Sequence, residues 1–119
     1  MERTFTLDEA RAALPGLQAH VERLVGLRAD LADAHAALAA GAEPAGGMPE
    51  VKAMEARLQE SLEWFAAMGI QVKGIAPVIV DFPAELDGRR VLLCWLEGET
   101  ALEWYHSEEV GFMGRRRLP

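Results

Sequence analysis

The chain has 119 residues and a mass of 13.0 kDa, is half hydrophobic and 26% charged, and so excludes whole-chain disorder and suits one domain burying roughly two thirds of its unfolded surface. Nineteen acidic residues against twelve basic ones give a formal charge of −7, which repels a phosphate backbone and argues against nucleic acid as a partner. The start Met1-Glu2-Arg3-Thr4-Phe5 has no apolar signal core, the longest strongly apolar run is Val91 to Leu96 against the ~18 residues of a membrane span, and the lone Cys94 can close no intrachain disulfide. A cytoplasmic protein without a membrane partner is the expectation.

The hydrophobic period changes at about Gly69, dividing one domain, 1–119, into a helical-hairpin half, 1–69, and a β-meander half, 70–119. Thr6-Leu7-Asp8-Glu9 has the form of a capping box, which starts a helix at Leu7. Pro15 lacks an N–H and restricts Leu14 to extended geometry, so Leu7 to Ala13 is predicted as a short helix and Pro15 as the opening of a second that stops at Gly41. Between residues 17 and 38, Leu17, Val21, Leu24, Leu31 and Leu38 recur at steps of three and four, with Arg28 and His35 as polar members of the same seam. Gly41 to Met48 reads as a hairpin loop. From Pro49 to Met68 a second stripe of Val51, Met54, Leu58, Leu62, Phe65 and Met68 predicts an antiparallel partner helix ended by Gly69.

Strand signals follow at Ile70 and Val72, at Val78 to Phe82, at Arg90 to Leu96 and at Ala101 to His106. Asp87-Gly88 predicts a two-residue hairpin turn that sets Asp81 opposite Cys94 and Val80 opposite Trp95. Pro83 cannot donate to a ladder, which predicts an edge strand or a bulge there. A second symmetric turn about Gly98-Glu99 sets Cys94 opposite Glu103 and Leu93 opposite Trp104. In that register the helix-covered face carries Trp104 and, at its margin, His106, while Asp81, Cys94 and Glu103 form a polar row on the other face. The fold class expected is α+β: an antiparallel helical hairpin, after a short N-terminal helix, packed on a small three- to four-stranded, mainly antiparallel sheet.

The segments Phe5-Thr6-Leu7-Asp8-Glu9-Ala10 with Leu14-Pro15, Val80-Asp81-Phe82-Pro83 with Gly88-Arg89, Leu93-Cys94-Trp95 with Gly98-Glu99, and Trp104-Tyr105-His106 with Gly111-Phe112 and Gly114-Arg115 resemble a bacterial family catalogued as domain of unknown function 2203. The likeness runs over nearly the whole chain and implies a small bacterial intracellular protein. It carries no established activity and hence no catalytic residues.

Candidate ligand-binding residues are Asp81, Cys94, Glu103 and His106. A histidine beside Glu108 and Glu109 and two carboxylates flanking a thiol offer donors for a divalent metal. A nucleophilic Cys94 is disfavoured, because neighbouring carboxylates raise a thiol's pKa. His20 and His35 have no second histidine at helical spacing. Gly111 to Gly114 with Arg115-Arg116-Arg117 lacks the strand–turn–helix context of a phosphate loop and reads as a tail or as an ion-pair partner of the acidic helices. No motif fixes a reaction. The functional expectation is a non-enzymatic protein-interaction module that self-associates; the alternative is a metal- or small-ligand-binding protein, or an enzyme, built on the carboxylate/Cys/His cluster.

Overall fold

A computed structural model describes residues 2–119. Thr6 caps the first helix, α1 (Leu7–Ala39): its hydroxyl accepts from Glu9 N at 3.0 Å, and Thr6 N donates to Glu9 Oε1 at 2.8 Å. The break expected at Pro15 does not occur, and the short N-terminal helix is the first two turns of one 33-residue helix. Pro15 forfeits one helical hydrogen bond, but it faces solvent while Ala10, Leu14 and Leu17 on either side are buried in the core. Packing on both flanks outweighs a local penalty of about 3 kcal/mol. The second helix, α2 (Gly47–Ala67), starts two residues before Pro49, which falls in the first turn where no N–H is required. Gly69 ends it at φ 79°, with Ile70 N returning to Phe65 O at 2.9 Å.

The strands are β1 (Gln71–Ile75), β2 (Val78–Leu86), β3 (Arg89–Leu96), β4 (Trp104–His106) and β5 (Arg116–Arg117), antiparallel and in sequential order. Five strands replace the three or four expected, because the Ile70/Val72 signal forms a full edge strand and part of the triple arginine pairs with β4. Asp87 and Gly88 both have positive φ, 52° and 76°, as the two-residue turn demands. Asp81 faces Cys94 and Val80 faces Trp95, as the sequence register predicts. β2 is an interior strand with no bulge against β3, so the edge expected at Pro83 is a local one. Pro83 lies past the last β1 pair, Gln71 with Asp81, so no ladder partner waits for its nitrogen, and its carbonyl accepts from Phe5 N at 2.7 Å.

The helices cover one face of the sheet. Leu14, Leu17, Val21 and Leu24 of α1 and Phe65 of α2 close on Val78, Val80, Phe82, Val91, Leu93 and Trp95, with Leu102 from the β3–β4 connection. Phe5 meets Phe82 edge-on at 5.2 Å between ring centres. His20 of α1 stacks on Trp64 of α2 at 3.5 Å, which joins the helices rather than supplying a ligand. Arg28 is not a seam residue between helices: it donates to Ile75 O and to both oxygens of Glu97, at 2.7 and 3.0 Å, where α1 leaves the sheet. Beyond it the hairpin continues as an arm in which Ala34 and Val51 are buried while Leu38 and Met48 are 40% and 46% exposed. The molecule measures 55 × 25 × 25 Å. No helix among the described residues is long and apolar enough to cross a membrane.

Candidate functional site

On the face away from the helices, β2 contributes Asp81, β3 contributes Cys94 and β4 contributes His106. The three are 1%, 0% and 3% exposed. One ligand atom from each lies within 4.8 Å of the others. Asp81 and Cys94 meet because the Asp87-Gly88 turn fixes the β2–β3 register.

His106 joins them because the β3–β4 register differs by one residue from the symmetric turn expected at Gly98-Glu99. Cys94 pairs with Trp104, Leu93 with Tyr105 and Leu92 with His106. A shift of one residue exchanges the faces of a strand, so Trp104 and His106 move to the outer face and Tyr105 to the helix side. The cause lies in the connection. Leu96 N donates to Glu99 Oε1 at 2.7 Å, Glu99 N donates to Leu96 O at 2.9 Å, and Trp95 Nε1 donates to Glu99 O at 3.0 Å. A loop wound about Glu99 that sinks Leu102 into the core replaces a two-residue hairpin.

Glu103 is consequently not in the row. It forms an ion pair with Arg117 at 2.9 Å, on a side chain that is 47% exposed. The arginine run likewise pairs with this connection and not with the helices: Arg115 binds Glu99 at 2.7 and 2.9 Å.

The histidine is held at both ring nitrogens. Nδ1 donates to Ser107 O at 2.8 Å, and Nε2 faces Asp81 Oδ1 at 3.0 Å. Since the carbonyl takes the Nδ1 proton, a proton or a cation must lie between Nε2 and Asp81 for that contact to be satisfied. Burial, and then the charge of Asp81, push the Cys94 thiol up from 9.0 to about 12, against an opposing pull from Arg115. A thiol so placed is a poor nucleophile, and it ligates only by exchanging its proton for a metal.

Sequence reasoning passed over the residues that enclose this cluster. Arg115 Nη2 donates to Cys94 O at 3.3 Å, and its guanidinium carbon sits 4.9 Å from the ring centres of both Trp104 and Phe112. Among the described residues, Arg115 Nε is buried without a hydrogen-bond partner. No spacing signal marks these contacts, since they join positions on three separate segments.

A helical hairpin on one face of an antiparallel meander, with a buried Asp/Cys/His cluster on the other, defines an α+β protein with a candidate cation site. Residues 3–118 match the family model described as Uncharacterized conserved protein (DUF2203), and the chain belongs to that family. No curated protein and no solved structure matches the chain.

Proposed function

We propose that the protein binds one divalent transition-metal ion through Asp81, Cys94 and His106. The observation that carries this reading is the buried histidine whose two ring nitrogens both face acceptors, with a thiol inside the same 4.8 Å cluster. An Nδ1–H spent on a backbone carbonyl is the usual outer contact of a metal-ligating imidazole. Thiolate, imidazole and carboxylate together suit zinc, whereas magnesium and calcium prefer oxygen donors. Metal analysis of protein purified without a histidine tag, followed by calorimetric titration with zinc, manganese and magnesium, tests this. Zinc should bind one per chain and Asp81→Asn should abolish most of its heat. Equal heats for wild type and variant would make the cluster ordinary buried structure.

A second reading, a non-enzymatic interaction module whose partner is its own copy, is favoured by the projecting arm with Leu38 and Met48 in solvent. Two packed arms would form a four-helix arrangement in a symmetric dimer. Light scattering at tens of micromolar should return twice 13.0 kDa; the monomer mass would end this reading. A net charge of −7 and an unpaired cysteine are consistent with a cytoplasmic protein that does not bind nucleic acid.

A further inference from the structure

The three cluster residues are at most 3% exposed, so an ion reaches them only if something moves. Beneath them lie the sheet and the helices, the most tightly buried part of the chain. Above them, Glu2 ties Gln71 to Arg90 at one margin, and the segment 107–115 between β4 and β5 lies against the face through Arg90, Cys94 O and Trp104. This strap makes no strand pairing among the described residues, and it carries Val110 and Met113 at 62% and 92% exposure.

Its backbone N–H groups bond within the segment, such as Val110 N to Ser107 Oγ at 3.2 Å and Gly114 N to Gly111 O at 2.9 Å. Beside the bond from His106 Nδ1 to Ser107 O at its start, two side chains fasten it to the rest of the outer face. Glu108 binds Arg90 at 2.7 Å on exposed side chains. Arg115 makes the enclosed fastening: 13% exposed, it is clamped between Trp104 and Phe112 and bound to Glu99 and to the carbonyl of Cys94 itself.

We propose that Arg115 is the latch of this strap and sets the rate at which the metal enters and leaves, an inference that rests on the metal-binding reading above. Releasing the guanidinium from Glu99 and from the Cys94 carbonyl loosens the strap between its ends, while the pairing of β5 with β4 keeps its C-terminal end in place. The aromatic pair then loses the charge it sandwiches, and the outer face opens while the helix-covered core stays closed. Arg115 touches no ligand atom of the cluster. It acts as a positioning residue through the segment it holds down.

Two variants separate a latch from a mere electrostatic influence. The charge of Arg115 favours the Cys94 thiolate and that of Glu99 opposes it, so Arg115→Ala and Glu99→Gln push metal affinity in opposite directions. Both loosen the same fastening. The measurement is stopped-flow uptake of cobalt(II) by the metal-free protein, and its release to excess EDTA. Strap opening should speed both steps, roughly tenfold in Glu99→Gln and up to roughly a hundredfold in Arg115→Ala, the range set by hydrogen bonds to a charged group. Hydrogen exchange of the metal-free proteins gives an independent readout: amides of residues 108–115 should accelerate in both variants while those of α1 keep their protection. If Arg115→Ala fails to fold, Glu99→Gln carries the test alone. Glu99→Gln exchanging metal no faster than wild type, or α1 amides accelerating with the strap, would overturn the latch. Wild type that takes up no cobalt(II) would instead refute the metal site, and the latch with it.

Discussion

The sheet face beneath the helices and the face beneath residues 107–115 share the same strands, yet the first is filled by Val78, Val80, Phe82, Leu93 and Trp95, and the second buries Asp81, Cys94 and His106. On the helix side, burial alone stabilises the contact, and any apolar group of fitting shape would serve. On the strap side each polar group depends on its partner, because an unpaired buried charge costs more than a lost contact. The first face is the ordinary solution to folding 119 residues. The second keeps groups that a purely structural face would replace with apolar ones, which is the physical ground for reading a site there.

The largest expected effect should mark the helix-covered face as the stability core. Phe82→Ala removes a fully buried ring and should lower stability by about 3–5 kcal/mol in denaturant unfolding. A loss below about 1 kcal/mol would mean that the two faces do not differ in the way described.

Next in size, His106→Leu in the metal-free protein strands the Asp81 carboxylate and should cost about 3 kcal/mol. The double variant Asp81→Leu, His106→Leu should recover most of that loss, because both polar partners leave together. A double variant less stable than the single one would show that the pair itself holds the outer face.

The third outcome is a pH dependence. The folded-state value of Cys94 is raised from 9.0 to about 12, so its contribution to stability is intact below pH 9 and declines as pH rises from there to about 12. The slope approaches about 1.4 kcal/mol per pH unit. Thermal melts across this range should therefore fall more steeply for wild type than for Cys94→Ala, and equal slopes would show a thiol in an unperturbed setting. On the proposed metal reading the sign would reverse over the neutral range, because an ion that replaced the thiol proton would bind more tightly as pH rises.

The smallest effect concerns the boundary between the sheet and the arm. The hydrogen bond from Arg28, and then that from Val78 N at 2.9 Å, lower the Glu97 carboxyl from its ordinary value, yet both side chains are about a quarter exposed, at 27% and 26%. Glu97→Gln should cost about 1 kcal/mol or less in urea unfolding. A much larger loss would move the arm's anchor into the stability core.

Where local rules dominate, the residues themselves specify the outcome. The Thr6/Glu9 capping box, the Gly69 stop, the positive-φ turn at Asp87-Gly88 and the resulting Asp81–Cys94 pairing all follow from short-range geometry that neighbouring packing does not override. Two apolar stripes and an alternating pattern were likewise enough for an antiparallel hairpin on an antiparallel sheet. Pro15 shows the limit in one direction, since its local preference yields to burial of Ala10, Leu14 and Leu17 around it.

The candidate site shows the limit in the other direction. Sequence alone brings Asp81 and Cys94 together, because a two-residue turn leaves a single register. It cannot decide between Glu103 and His106, because that choice depends on the parity of one connection. That parity is set by Glu99 capping Leu96 N, by Leu102 entering the core, and by Arg115 reaching back from the far end of the chain to Glu99 and Cys94. These contacts join residues distant in sequence and have no periodic signature. A side-chain period of two turns a one-residue difference into opposite faces of the sheet, so only the assembled tertiary structure could set His106 beside Asp81 and send Glu103 out to Arg117.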